Sequence, residues 1–505
     1  MKHAKHAALA AAALALSVAA HAQERPEDRA NLADLYPDAQ GWNADAARIE
    51  SQLKEYAQCR GKLDESAQRL LQCLDLQSDF SKRFARMAVY AGEQLAHDTG
   101  VASSLELSQK LRVLGAKIQE ATSFQSPELL AAGKAKIDAF FAREPKLATY
   151  RHPVDDILRR APHTLDAKGE AIVATFGLSS GAGGSTYQIL ANADMPWPTI
   201  KLADGKEVKL DQSAYTAERE SANRDDRKKV MDAFFGKWKE FERTTGTTFY
   251  SNLKEATVYA KVRNYADSLD RSLDANRVPK AVYDALIDAT NKNLPTLHRY
   301  FRLRAKMLGV QDMRYYDIYP PLVGGGRTFT LDEAKRLTLE AVRPLGDEYV
   351  AAMAKGFESR WMDAYPRARK QSGAHMAGAA YDVHPYLLIN YTGNYESVTT
   401  IAHEWGHAMH SYLANRTQPF PTAGYAIFTA EIASTLNEAL LLEHMLKAAK
   451  GDDERLLYLG SALEGLRATF FRQAMFAEFE REVHRRVDAG EPMTGDRFTR
   501  VYGDI

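Results

Sequence analysis

Cysteine is almost missing from this chain: Cys59 and Cys73 are the only two in 505 residues, and both lie in the N-terminal third. So few exclude a cysteine-ligated zinc module and a multi-bridge disulfide scaffold. The pair is either one disulfide between consecutive helices or two buried thiols. An excess of charge of one sign is missing too, since lysine plus arginine and aspartate plus glutamate number 66 each. A balanced chain has no net field to steer it to nucleic acid or to an anionic membrane, so neither is expected as a partner. Beyond residue 20 no apolar run reaches the length of a membrane span. No internal repeat stands out. The glycine-rich stretches "GLSSGAGGSTY" (177–187) and "VGGGRTF" (323–329) lack the Gly-Lys-Ser/Thr ending of a phosphate-cradling loop and read as surface turns.

The N-terminus has the order of an export signal. Lys2 and Lys5 supply positive charge, Ala7 to Ala20 is apolar, and Ala20-His21-Ala22 is a small-x-small cleavage site before Gln23. Residues 1–22 are expected to be removed, leaving an exported chain with no membrane insertion, most naturally in a periplasm. The whole sequence is 45% hydrophobic, enough to fill a sizeable core. From about residue 42 the apolar residues recur at helical spacing, as in "ADAARIESQLKEYA", "SDFSKRFARMAVYAGEQLAHD" and "SPELLAAGKAKIDAFFARE". "PTIKLADGKEVKL" alternates on both sides of Asp204-Gly205 and predicts a hairpin. A boundary near 200 then separates an N-terminal helical domain (23–199) from a second domain (200–505). Thr330, with Glu333 three residues on, forms a capping box that starts a helix. "HPYLLINY" (384–391) predicts a strand, and Asn394 caps the helix after it.

That helix contains "TIAHEWGHAMH" (400–410). His403 and His407, four apart, lie one turn apart on one helix face, so both imidazoles can reach one ion. Glu404 is turned about 100° around the helix, where it can approach a metal-bound water as a general base. Catalytic zinc keeps three protein ligands and an open position. A metzincin would need histidine at 413, but Leu413 stands there, and that branch is excluded. His410 lies a turn too far along and fits packing or a supporting hydrogen bond better than ligation. Glu431, early in the next strong helix, completes a His-His-Glu set, and Thr435 and Glu438 share its face as candidates to orient the ligands. The bland alternatives are a pair of surface histidines and an ordinary polar helix edge.

With these residues in view, the text from "SGAHMAGAAYDVHPYLLINYTGNYESVTTIAHEWGHAMH" to "YAIFTAEIASTLNEALLLEHML" resembles the M3 family of zinc oligopeptidases, in its oligoendopeptidase F branch. The resemblance implies His403, His407 and Glu431 as ligands of one zinc ion per chain and Glu404 as the base. It also implies a mainly α, two-lobed metallopeptidase whose halves enclose a substrate channel, with a small β element beside the zinc-binding helices. The channel would admit short oligopeptides, and a strand beside the motif helix, from either "GAHMAGAAY" or the 384–391 run, would pair with their backbone. Family members continue past the point matching Ile505, and the tyrosines and histidine that stabilise the oxyanion lie in that continuation. The expected function is therefore a zinc-dependent endopeptidase of oligopeptides, with the C-terminal part of the catalytic domain absent. The alternative is a zinc-containing peptide-binding protein without turnover.

Overall fold

The structure, a computed structural model, describes residues 24–323 and 327–505. The export signal read from residues 1–22 and the three-glycine turn at 324–326 lie outside the described residues. What is described is mostly helix, with five short strands among the described residues.

Helix α1 (Ala39–Tyr56) is capped by Asp38, which accepts from the amides of Gln40 and Gly41, and it buries Trp42, Ile49, Leu53 and Tyr56 along one stripe. Helix α2 (Ala67–His97) starts on a Ser66 cap and buries Leu70, Leu74, Phe80 and Met87 against it. Cys59, just past α1, is disulfide-bonded to Cys73 within α2, so the pair forms a bridge across the hairpin. With a sequence separation of 14, closing that loop constrains the unfolded chain by about 3 kcal/mol. A Cys59→Ala/Cys73→Ala variant is expected to unfold at correspondingly lower urea. An unchanged midpoint would show that the bridge does not constrain the chain.

Two glycine-containing segments depart from the sequence reading. "SPELLAAGKAKIDAFFARE" is two helices, Gln125–Ala132 and Lys134–Arg143, because Gly133 sits at φ 76° between them, a conformation that ends a helix. The "GLSSGAGGSTY" stretch is only partly a turn: Ala182–Ile189 is helical. A Cβ at Gly183 would lie 2.6 Å from the Thr248 carbonyl, so this glycine serves close packing of two helices. At the Thr330 cap only half of the box forms. Its side chain accepts from the Glu333 amide, while the Glu333 carboxylate turns to Arg327.

The expected hairpin forms, with β1 (Thr199–Lys201) antiparallel to β2 (Glu207–Lys209). A second sheet has the order β3-β5-β4, from β3 (Met362–Asp363), β4 (His375–Ala377) and β5 (Tyr386–Leu388). β5 pairs parallel with β3 and antiparallel with β4, so β5 is the centre and β4 an edge. All three residues of β5 are buried. Their alternation sends Tyr386 into the N-terminal core with α1 and α2 and Leu387 into a second core. That second core is built around helix α3 (Tyr395–Thr417), which presents Val398, Ile401, Ala402, Trp405, Ala408 and Met409 to it. Helix α4 (Ile427–Ala448) packs across α3, and α5 (Asp452–Leu466) and α6 (Arg472–Asp488) follow.

Candidate active site

The apolar residues of α3 face the core, and the other face carries His403 and His407, both half-buried. Asn394 fixes where the helix begins, its Oδ1 accepting from the Ser397 amide at 2.9 Å. The loop after Thr417 returns the chain as α4, and Gly406 decides how closely the two helices approach. A Cβ there would lie 2.5 Å from Ser434 Cα and 2.6 Å from the Ala433 carbonyl oxygen. Nothing larger than hydrogen fits without moving α4. Asn437, wholly buried, pins the crossing by donating to the Ala402 carbonyl at 3.0 Å.

This close crossing brings Glu431 over the motif face. Glu431 Oε2 lies 3.3 Å from His403 Nε2 and 3.2 Å from His407 Nε2, and the two Nε2 atoms are 3.2 Å apart. Three donor atoms thus form a nearly equilateral triangle. Ligands on a tetrahedral zinc with bonds of 2.0–2.1 Å are separated by about 3.3 Å, so the residues fit that ion. Among the described residues, His403, His407 and Glu431 are the cluster able to hold a metal.

The surrounding groups orient the triangle. His403 Nδ1–H donates to Glu438 Oε1 at 2.5 Å, which fixes the tautomer and leaves the Nε2 lone pair toward Glu431. Burial pulls the His403 imidazole down, but the Glu438 hydrogen bond together with the charges of Glu438, Glu404 and Glu431 outweighs it, and the net shift is upward. His407 has the Ala430 backbone as a hydrogen-bond partner, and burial lowers it overall. Ser434 Oγ donates to Glu431 Oε2 at 2.8 Å. Thr435, chosen from helix spacing for that task, instead donates to the Glu431 main-chain carbonyl at 2.6 Å and does not touch the carboxylate. His410 stays outside the triangle and stacks on Tyr425 at 3.7 Å between ring centres.

Glu404 is only 7% exposed. Burial pushes its carboxyl up to about 7, offset in part by the neighbouring His403 and His375 imidazoles. His375, on edge strand β4, has no counterpart in the sequence reading. Its Nε2 lies 2.9 Å from Glu93 on α2, a buried carboxylate. The spacing of the motif gave no signal for this pair, which meets across 282 residues. After β4 the chain is held against the motif helix by Asn415, which donates to the Gly378 carbonyl at 3.2 Å. Edge strand, the buried Glu404 carboxyl and the donor triangle therefore lie side by side.

Residues 218–505 match peptidase family M3, and residues 128–196 match the family described as oligopeptidase F. The chain is 36% identical over 482 residues to the oligopeptidase PepF of Bacillus subtilis, covering 95% of this chain and 72% of that protein. It is 34% identical to the group B oligopeptidase PepB of Streptococcus agalactiae, covering 94% of this chain and 79% of that one. Among solved structures, an oligoendopeptidase-F from Enterococcus faecium superposes with a TM-score of 0.71 at 30% identity, over 92% of this chain and 79% of the other.

Proposed function

The chain belongs to peptidase family M3, in its oligopeptidase F branch, and from that premise we propose how its own residues hydrolyse peptides. It is a metalloendopeptidase, and oligopeptides are the substrates the family implies. In our reading His403, His407 and Glu431 hold one zinc ion per chain. When bound, zinc supplies a Lewis acid that brings the pKa of a water near neutrality. Glu404 takes the proton of the attacking water and passes it to the leaving amine, its carboxylate lying beside the triangle rather than in it. Glu438 keeps His403 in the tautomer that ligation needs. β4, unpaired on its outer side, offers its backbone to an extended peptide and so sets the scissile bond against Glu404.

The observation that carries this reading is the triangle of His403 Nε2, His407 Nε2 and Glu431 Oε2. The test is hydrolysis of a mixed quenched-fluorescent peptide set by zinc-loaded protein. Cleavage is expected at internal bonds, to stop on chelation and to return with added zinc. Cleavage that survives complete metal removal would refute it.

We also propose two domains meeting near residue 200, and export to an oxidising compartment such as a periplasm. The second rests on residues 1–22 and accords with the Cys59–Cys73 disulfide, since such bonds persist outside reducing cytosol. Among the described residues no helix is long and apolar enough to cross a membrane.

A further inference from the structure

The face of α3 that carries His403 and His407 continues toward the helix N-terminus as Thr399 and Glu396, at the same three- and four-residue spacing. There it forms one wall of a cavity of about 260 Å³. Ser461 of α5 is on another wall, and Arg219, Arg467 and Arg472 also line the space. Between α5 and α6 the helix widens into a π turn over Arg467–Phe471. Its five-residue hydrogen-bond spacing turns residues five apart toward one side, which accounts for Arg467 and Arg472 reaching the same cavity.

These arginines differ in what they hold. Arg467 Nε donates to Glu464 at 2.8 Å and is satisfied. Arg219 lies over the Tyr319 ring at 4.1 Å and pairs one Nη with Glu396 at 3.2 Å, but its Nε is buried without a partner. The Arg472 side chain has no hydrogen bond or ion pair among the described residues, only the Phe476 ring at 5.6 Å, and its Nε is likewise buried and unpartnered. Charged donors are rarely left unsatisfied inside a protein, so Arg472, with no hydrogen-bond partner among the described residues, and Arg219, with one Nη paired, leave guanidinium donors at this cavity for an acceptor that comes from elsewhere. Of the three carboxylates that line the cavity, Glu396 pairs with Arg219 and Glu464 with Arg467, and none pairs with Arg472. Burial, with Glu396 alongside, pushes the Glu220 carboxyl up to about 8, so near neutral pH it is largely uncharged.

We propose that this cavity is a substrate subsite that binds a carboxylate of the peptide, with Arg472 and Arg219 as its donors. The inference rests on the peptidase reading above and deepens it by naming a specificity. A planar guanidinium matches a carboxylate in a two-pronged hydrogen bond, which makes arginine the suited partner. The helix rise puts Thr399 and Glu396 roughly 6–10 Å along the axis from His403. An extended peptide advances about 3.3 Å per residue, so the carboxylate belongs two or three residues from the scissile bond. It is supplied either by an acidic side chain or by the free C-terminus of a short peptide.

The test uses zinc-loaded protein and matched fluorogenic peptides. One series carries Glu or Gln two and three residues to either side of the cleaved bond; another ends in a free acid or an amide. The carboxylate member is expected to have a kcat/KM roughly tenfold or more above its neutral match, through KM, because a charge-assisted bond formed in ground and transition state alike is uniform binding. Which series shows the preference identifies the source. In Arg472→Gln the ratio should collapse toward one, and Arg472→Lys, which keeps the charge without the fork, should restore part of it. Ratios near one in the unaltered protein, or a preference that Arg472→Gln leaves intact, would overturn the proposal. The same pairs titrated by fluorescence anisotropy onto Glu404→Gln protein read the discrimination without turnover. Failure of the peptidase reading and failure of the subsite are therefore distinguishable.

Discussion

Glu404→Gln protein is expected to bind zinc as the unaltered chain does and to hydrolyse peptides roughly 10²- to 10⁴-fold more slowly, the range a positioned general base supplies. The two expectations separate because Glu404 is not one of the three triangle residues, so an amide there removes proton transfer and leaves the donor set whole. Glutamine has nearly the size of glutamate and fits the same buried position. Stability gives a second readout in the metal-free protein. The folded carboxyl is raised to about 7, above its unfolded value, so whatever stability it contributes is present at low pH and lost as pH rises through 7. At pH 8 the unaltered apo-protein holds a buried charge that the glutamine variant lacks. The variant should therefore melt at the same or a higher temperature there. Turnover within a few-fold of normal would remove Glu404 from the mechanism, and a lower melting temperature at pH 8 would show that its carboxylate is a structural partner.

Much of this site is legible in the sequence because its geometry is local. His403 and His407 share a helix face by spacing alone, and the Asn394 cap and the Thr417–Pro419 stop define that helix without tertiary information. Glu431 is legible in kind, as a carboxylate early on the next helix. What sequence does not carry is how two helices cross. The close approach at Gly406 and Ser434 turns Ser434, rather than Thr435, toward the Glu431 carboxylate. Glycine is ambiguous in the same way: Gly133 breaks a helix, while Gly183 stands where another backbone comes close. Pairs meeting across hundreds of residues, such as His375 with Glu93, leave no trace in local spacing. The sheet is an intermediate case. The apolar run 384–391 predicts a strand, but the sequence does not tell which of the two candidate runs is the edge; the pairing does, with β5 buried in the middle and β4 outside.

Glu431→Ala is expected to abolish stoichiometric zinc binding, and with it hydrolysis, while leaving the metal-free fold unchanged. The fold should be indifferent because the Glu431 side chain is 62% exposed, and substitutions at such positions usually change stability by no more than about 0.5 kcal/mol. The metal should not be, because two imidazoles alone fall short of the three protein ligands a catalytic zinc requires. The cleanest measurement is the melting temperature with and without zinc. A ligand at a thousand times its Kd stabilises a folded protein by about 4 kcal/mol, so the unaltered chain should show a clear upward shift and Glu431→Ala almost none. The residues around Glu431 should then fall in an order the contacts dictate. Glu438→Gln, which loosens His403 without removing a ligand, should weaken zinc roughly 10- to 100-fold and keep a reduced shift. Thr435→Ala should keep the full shift, since that hydroxyl serves a main-chain carbonyl. A full zinc-dependent shift in Glu431→Ala would mean that the metal is held by other residues, and the triangle would lose its meaning as a ligand set.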